Sequence, residues 1–139
     1  MENDALEKAL ANPAEVMELN LRYNELTSLP SEIWQLTNLE RLNLGDNSLT
    51  SLPSEIGRLT NLAILELNGN LLASLPSEIG QLANLEYLGL GDNKLASLPA
   101  EIGQLTNLER IYLGDKRLIE IARALVVSGC KISYYGLGQ

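Results

Sequence analysis

Apolar positions repeat along this chain with a period of 23 residues. Each unit reads approximately L-x-x-L-x-L-x-x-N-x-L-x-S-L-P-x-E-I-x-x-L-x-N. A repeat of this length predicts a solenoid, because a unit so short can bury its apolar side chains only by stacking on its neighbours. Copies of the unit begin at Val16, Leu39, Leu62, Leu85 and Leu108.

Two kinds of hydrophobic spacing alternate within the unit. Residues 42–44 alternate between leucine and asparagine, which predicts a half-buried strand. The later spacing of three and four residues, between Leu49 and Leu59, predicts a short helical turn with Pro53 at its first position. Strands of successive units should therefore form a parallel sheet, and the bulkier turns on the other side should make that sheet concave.

The ends of the chain depart from the unit, as the exposed ends of a solenoid require. We predict a helical N-terminal cap over residues 1-15 and leucine-rich units over residues 16-118, as four full copies and one partial copy. Residues 119-139 predict a C-terminal cap that consists of a helix and a closing strand.

The predicted caps have recognisable helix signals. In the N-terminal cap, Asn3 or Asp4 precedes a helix that should run to Ala11. In the C-terminal region, residues 117–129 have the pattern of an amphipathic helix that stops at its final glycine. Residues 130–135 then alternate, which predicts a sixth strand.

Composition narrows the function classes. The 139 residues carry a net charge of -8, with no histidine and no long run of lysine or arginine. Nucleic acid is therefore not an expected partner, because phosphate binding needs a basic surface. No phosphate-binding loop and no serine or cysteine beside a candidate base occur, so we expect neither an enzyme nor a cofactor.

The single cysteine, Cys130, cannot form an internal disulfide, and we expect it to act as a small apolar side chain. The N-terminal segment lacks the basic and apolar regions of a secretory signal. No stretch approaches the ~18 apolar residues of a membrane span. We therefore expect a cytoplasmic protein without membrane association, with secretion as the alternative for a chain that has lost a leader.

Two series of asparagines follow the period. A side-chain amide at these positions can bond to backbone groups of the neighbouring turn, so we interpret both series as structural. The first series, within the unit, is Asn24, Asn47, Asn70 and Asn93. The second series, just before each strand, is Asn38, Asn61, Asn84 and Asn107.

These motifs resemble those of leucine-rich repeat proteins, over residues 16 to about 118. The S-L-P-x-E-I-G tail is similar to the 23-residue subtype of bacterial and intracellular members. Membership implies an α/β fold, namely a right-handed β/α superhelix shaped as a horseshoe. It also implies a concave parallel sheet, short helical turns on the convex side, and a surface that most often binds another protein. In the second copy the motif is carried by Leu39, Leu42, Leu44, Asn47 and Leu49.

Positions that differ between the copies fall on the predicted concave face, whereas the turn side is nearly identical from copy to copy. The outward positions are the third, fifth, seventh and eighth of each unit. Three of the five tyrosines lie in the C-terminal half of this face, and tyrosine and arginine are the residues that most often anchor protein interfaces. Gly89, Gly91 and Gly114 should leave hollows beside the tyrosine rings. The predicted partner-binding residues are Arg41, Ile64, Glu66, Tyr87, Arg110, Tyr112 and Tyr135.

We expect a monomer that binds a helix, loop or peptide of a partner protein on this face. Six strands and five residue steps span roughly 24 by 16 Å. The area of this face is about half of the area that one partner buries in a standard interface. A glycan-binding module is the alternative, because tyrosines beside Asn, Asp and Glu also suit stacking on sugar rings. A structural array without a ligand is a third reading, which the varied concave face disfavours.

Three further features carry smaller expectations. Trp34 stands where later copies have glycine, and we expect it to pack against the N-terminal cap rather than to lie exposed on the convex side. Asp92 and Asp115 should be neighbours, but two carboxylates supply too few ligands for calcium. Carboxylates near the start of each turn suit the local dipole and need no ligand to explain them. These are Glu32, Glu55, Glu78 and Glu101.

Overall fold

A computed structural model describes residues 4–134. The two α-helices are α1 (Asp4–Ala11) and α2 (Arg117–Leu125). The strands are β1 (Glu18–Asn20), β2 (Arg41–Asn43), β3 (Ile64–Glu66), β4 (Tyr87–Leu90), β5 (Arg110–Leu113) and β6 (Lys131–Tyr134). Short 3₁₀ helices span Pro13–Glu15, Ser31–Gln35, Ser54–Arg58, Ser77–Gln81 and Ala100–Gln104. Two residues named above, Asn3 and Tyr135, lie outside the described residues.

The strands form one parallel sheet in sequence order, from β1 to β6. From β1 to β5 the register places equivalent positions of the copies side by side, so that Arg41 pairs with Ile64 and Ile64 with Tyr87. β6 continues the same rows, because Tyr112 pairs with Ser133. The predicted parallel sheet is therefore confirmed, and every outward column of the sequence is a row on one face.

The turns that follow the strands are 3₁₀ helices. The prediction placed Pro53 at the first helical position, but the structure places it one residue earlier, with φ −68° and ψ 157°. The proline carbonyl accepts a hydrogen bond from the backbone N–H of Ile56, at 3.1 Å. A fixed φ near −65° suits this extended position as well as the helix, which is why the sequence alone did not separate the two. Ile56 is fully buried against the sheet.

The core lies between the sheet and the turns and is almost entirely aliphatic. The inward residues at the middle of the strands are buried completely or nearly so, as in Leu42, Leu65 and Leu88. Isoleucines from the 3₁₀ helices, such as Ile79, meet them from the other side and are also fully buried. Burial of this apolar surface supplies the main stabilising free energy, since no unit can bury its leucines alone.

Helices cover both ends of the described stack. On α1, Leu6 and Ala9 are buried in the same core cluster as the repeats. On α2, Leu118, Ile119 and Ala122 are buried, and Ile121 is partly buried. The boundaries predicted for the two caps stay a prediction.

α2 is shorter than the sequence predicted. It ends at Leu125, and Val126 is already extended, with φ −72° and ψ 156°. Two consecutive valines favour extended backbone, which explains the early end. Gly129 has φ +91° and lies in the turn that leads into β6 instead of ending the helix.

The first asparagine series forms the predicted ladder in the middle of the stack. Asn70 is 3% exposed. Its Oδ1 accepts the backbone N–H of Leu49 at 2.9 Å, and its Nδ2 donates to the carbonyls of Leu44 and Leu67 at 3.0 and 3.1 Å. Asn24 belongs to the first copy, so no preceding repeat offers it a backbone carbonyl. Its Nδ2 donates only to the carbonyl of Arg22, within its own loop.

The second asparagine series also links successive units, but at the surface. The Nδ2 of Asn61 donates to the carbonyl of Thr37 at 3.1 Å, and both groups are exposed. The other three side chains make the equivalent bond to the preceding turn. These pairs are Asn38 with Ala14, Asn84 with Thr60, and Asn107 with Ala83.

Candidate functional site

Six of the predicted partner-binding residues share the outward face of the sheet. We call Arg41, Ile64, Glu66, Tyr87, Arg110 and Tyr112 the concave patch. The third-position side chains of β2 to β5 stand in one row, and the fifth-position side chains stand in a second row. In the second row, Gly89 separates Glu66 from Tyr112. The two arginines are exposed, and the other four residues are half-buried.

Neighbouring side chains occupy the hollows that the glycines create. A Cβ at Gly89 would overlap the carboxylate of Glu66 and would lie 3.0 Å from the hydroxyl of Tyr87. A Cβ at Gly91 would overlap the ring of Tyr112. The sequence suggested empty hollows beside the tyrosine rings, but in the structure side chains fill these hollows. They allow the tyrosines to lie low on the sheet, which explains why both are half-buried.

A hydrogen-bonded network joins the fifth-position row to the seventh position through Asn68. Its Nδ2 donates to the carboxylate of Glu66, and its Oδ1 accepts the backbone N–H of Gly91 at 2.5 Å. Burial raises the pKa of Glu66, and this effect exceeds the opposing influence of Arg22 and of hydrogen bonds from Asn68 and Tyr87. Burial also raises the pKa of Tyr87, and the negative charge of Glu66 adds to that shift.

We expect Glu66→Gln to change the pH dependence of stability. The folded state raises the pKa of Glu66 above 4.5, so folding favours the protonated carboxyl. This contribution is complete below the unfolded pKa and is lost as pH rises through the folded pKa. Urea unfolding between about pH 4 and pH 7 should therefore show the variant gaining stability relative to the wild type as pH rises.

Glu18→Gln is the matched control, because it removes one carboxylate from an exposed position on β1 of the same face. If both variants show the same pH dependence relative to the wild type, the burial of Glu66 does not matter for its titration.

Arg22 has a fixed position at the edge of the face. Its Nε donates to the carboxylate of Asp46 at 2.7 Å, and its guanidinium lies 4.6 Å from the centroid of the Tyr23 ring. Both partners of the ion pair are partly exposed, so the pair contributes little to stability. Its consequence is that the charge of Asp46 is matched within the protein.

The eighth position of the first four copies has a left-handed backbone. The φ angles are +60° at Tyr23, +55° at Asp46, +76° at Gly69 and +55° at Asp92. Glycine and aspartate adopt this region more readily than bulky residues do. The left-handed backbone therefore explains most of the residue types found at the eighth position. The sequence alone does not distinguish this explanation from a role in binding.

The structure disfavours a shared cation at Asp92 and Asp115. The Asp115 carboxylate is 2.7 Å from Nη2 of Arg117 and also accepts the Arg117 backbone N–H at 2.8 Å. These hydrogen bonds hold the pKa of Asp115 below its usual value. Across residues 4–134, no three histidine, cysteine, aspartate or glutamate side chains come together as metal ligands.

The row of third-position side chains ends in two cations at the C-terminal side of the sheet. Arg110 pairs in register with Lys131, and its Nη1 donates to the Ser133 hydroxyl at 3.1 Å. Both cations are exposed. A surface concavity of about 570 Å³ beside them is also lined by Ile64 and Tyr87. Glu86 and Glu109 line the same concavity, so this end of the patch combines charges of both signs with apolar surface.

Sequence reasoning did not select Asn68, Arg22 or Asp92, although all three stand in outward columns. A signal for Asn68 was present, because its column otherwise contains only arginine and glycine. The reach of its side chain to Gly91 depends on side-chain conformation, which the repeat pattern does not encode.

Within the described part of the chain, no helix is long and apolar enough to cross a bilayer.

Comparison with known proteins places these features in a family. The leucine-rich repeat family model matches residues 14–72 and 60–118. A leucine-rich repeat protein of Leptospira interrogans has a solved structure with 43% identity and a TM-score of 0.60. The match covers 78% of this chain and 35% of that one.

The leucine-rich repeat domain of APL1B shares the fold, with a TM-score of 0.72 at 22% identity. That match covers 91% of this chain and 40% of the domain's chain, so this chain spans well under half the length of both solved relatives. No curated protein sequence gives a significant match. The predicted horseshoe fold is confirmed, and the chain belongs to the leucine-rich repeat family.

Proposed function

We propose that this chain is a protein-interaction module that binds a helix, loop or extended segment of a partner on the concave patch. Leucine-rich repeats generally mediate protein–protein interaction, which supports the class of function. The observation that carries the choice of surface is the register of the sheet. It places Ile64, Tyr87 and Arg110 side by side, with Tyr112 in the adjoining row.

The chemistry of the patch supports protein recognition. The two tyrosines contribute large rigid surfaces with polar ends, and Ile64 adds an apolar contact between Arg41 and Tyr87. Side chains that are already packed lose little conformational entropy on binding. The network around Glu66 therefore holds this part of the patch ready for a partner.

The test is a selection of binders from a phage library that displays genomic fragments of the source organism. Selected fragments would be measured against the wild type and against Arg110→Glu by fluorescence anisotropy. We expect Arg110→Glu to weaken binding about tenfold or more, because it reverses a charge beside Tyr87 at the C-terminal end of the patch.

Arg58→Glu is the matched control. Arg58 is exposed at the end of the 3₁₀ helix Ser54–Arg58, on the turn side, and its substitution makes the same change in net charge. Fragments that lose affinity for both variants equally, or for neither, would remove the concave patch as the binding surface.

A further inference from the structure

A second concavity lies over the seventh and eighth positions of the sheet face, with a volume of about 510 Å³. We call it the tyrosine cavity and define it by Tyr87, Gly91, Asp92 and Tyr112, which line it. Its floor is backbone, because Gly91 and Gly114 lie in contact across adjacent strands. A Cβ at Gly114 would overlap the backbone nitrogen of Asp92 and lie 3.2 Å from the Cα of Gly91.

Aromatic surface forms part of the wall of the tyrosine cavity. The ring of Tyr112 rests over Gly91, and the ring of Tyr87 reaches toward Gly89 and Glu66. Both rings are half-buried, so each retains accessible surface. Tyrosine rings attract cations through their negative faces, most strongly where the cation is shielded from water.

The charge of the tyrosine cavity is negative after internal pairing. Asp46 and Arg22 both line it, but they form an ion pair at 2.7 Å and cancel each other. Asp92 forms no ion pair with any residue between 4 and 134, so its charge is unmatched there. Glu66 lies beside the cavity and adds a carboxyl group that Asn68 already orients.

The two cations at the C-terminal side of the face lie too far from Asp92 to neutralise its charge, although Arg110 stands next to Tyr87 across β4 and β5. Lys116 lines a neighbouring concavity together with Asp92 but does not line the tyrosine cavity. Arg110 and Lys131 stand at the third position of their strands, whereas the cavity floor is at the seventh. Four residue steps along a strand separate them by about 13 Å. The net charge of the whole chain, -8, also favours the approach of a cationic segment.

We infer that the partner places one lysine or arginine side chain in the tyrosine cavity, between the tyrosine rings and against Asp92. This inference rests on the proposed function and adds to it the charge of the partner's anchoring residue. Arg110 and Lys131 then face a different part of the partner, beside a concavity that Glu86 and Glu109 also line.

The test starts from random dodecapeptides displayed on phage and selected on the wild-type chain. In each selected peptide, single lysines are replaced by norleucine and single arginines by citrulline, which remove the charge and keep the stem. Dissociation constants are then measured with the wild type, Asp92→Asn, Glu18→Gln, Arg110→Glu and Arg58→Glu. Asparagine tolerates the left-handed backbone at position 92, so this variant removes the charge and keeps the loop.

A single basic residue of the peptide should be responsible for the part of the affinity that depends on Asp92. Its neutral replacement should weaken binding to the wild type about fivefold or more and should have little further effect on Asp92→Asn. Asp92→Asn alone should weaken the parent peptide by a similar factor. Glu18→Gln, which makes the same change in net charge on the same face, should bind like the wild type.

The outcomes separate the inference from the proposed function. Peptides that lose affinity for Arg110→Glu but contain no such basic residue would overturn the inference and leave concave binding intact. Peptides that bind Arg110→Glu, Arg58→Glu and Asp92→Asn as tightly as the wild type would overturn both proposals. Failure to select any peptide, together with retention of a glycan on an array, would also overturn both in favour of sugar binding.

Discussion

Replacing Trp34 with alanine should lower the free energy of unfolding by about 3–5 kcal/mol. The indole is 7% exposed and belongs to the core cluster, which agrees with packing and not with an exposed position on the convex side. Alanine would leave a large cavity that a solenoid end can close only in part. Urea unfolding followed by far-ultraviolet circular dichroism measures the loss, because Trp34 is the single tryptophan and fluorescence disappears with it.

The position of Trp34 explains why the effect should be large. The equivalent residues of later turns are glycines in close contact with the next turn, and a Cβ at Gly80 would lie 2.8 Å from the carbonyl oxygen of Glu101. The 3₁₀ helix Ser31–Gln35 packs less closely on its successor than later turns do, which leaves room for the larger side chain. Helix α1 packs against that same 3₁₀ helix.

Trp34→Phe is the control for this prediction. Phenylalanine keeps an apolar ring and most of the volume, so less than about half of the alanine effect should remain. A loss below about 1 kcal/mol for Trp34→Ala would mean that the indole does not hold the N-terminal end together.

The second large effect is expected for Asn70→Ala, with a loss of about 1–3 kcal/mol. The substitution leaves the buried N–H of Leu49 without its acceptor. The carbonyls of Leu44 and Leu67 each lose one of two amide donors and keep those of Asn47 and Asn93. Water cannot reach the Leu49 N–H without opening the stack, so the desolvation penalty of that group is not recovered. Urea unfolding at pH 7 gives the difference directly.

Asn24→Ala provides a control at the same position of the repeat. Asn24 is partly exposed, and its Nδ2 donates only to the carbonyl of Arg22 at 3.0 Å. Its loss should cost less than about 1 kcal/mol. Equal losses for the two variants would mean that the contribution of the asparagine belongs to its own loop and not to the junction between units.

The period of the sequence predicted the parts of the fold that repeat. Once the copies were aligned, the rows that contain Ile64, Tyr87 and Arg110 followed, because a parallel sheet with equal steps allows only one register. The ladder through Asn47 and Asn70 followed for the same reason. These features depend on backbone geometry, which is common to every unit.

Features that occur once were harder to predict. The resting place of Tyr112 over Gly91 and the reach of Asn68 depend on side-chain conformations that no other copy shares. The end of α2 at Leu125 depends on how the chain must turn to enter β6. The candidate site consists mainly of such single features, so the sequence indicated its members but not their contacts.

The equal steps of the sheet also suggest how recognition could diverge without point substitutions. A tandem duplication of residues 62–84 would add one strand beside β3 and move Arg22 and Asp46 about 4.8 Å farther from Tyr112. The added copy would supply its own glutamate and asparagine next to Gly89 and Gly91, so the network on the face would be rebuilt. Gain or loss of one unit in a lineage would thus widen or narrow the recognition surface while both ends of the horseshoe keep their sequence.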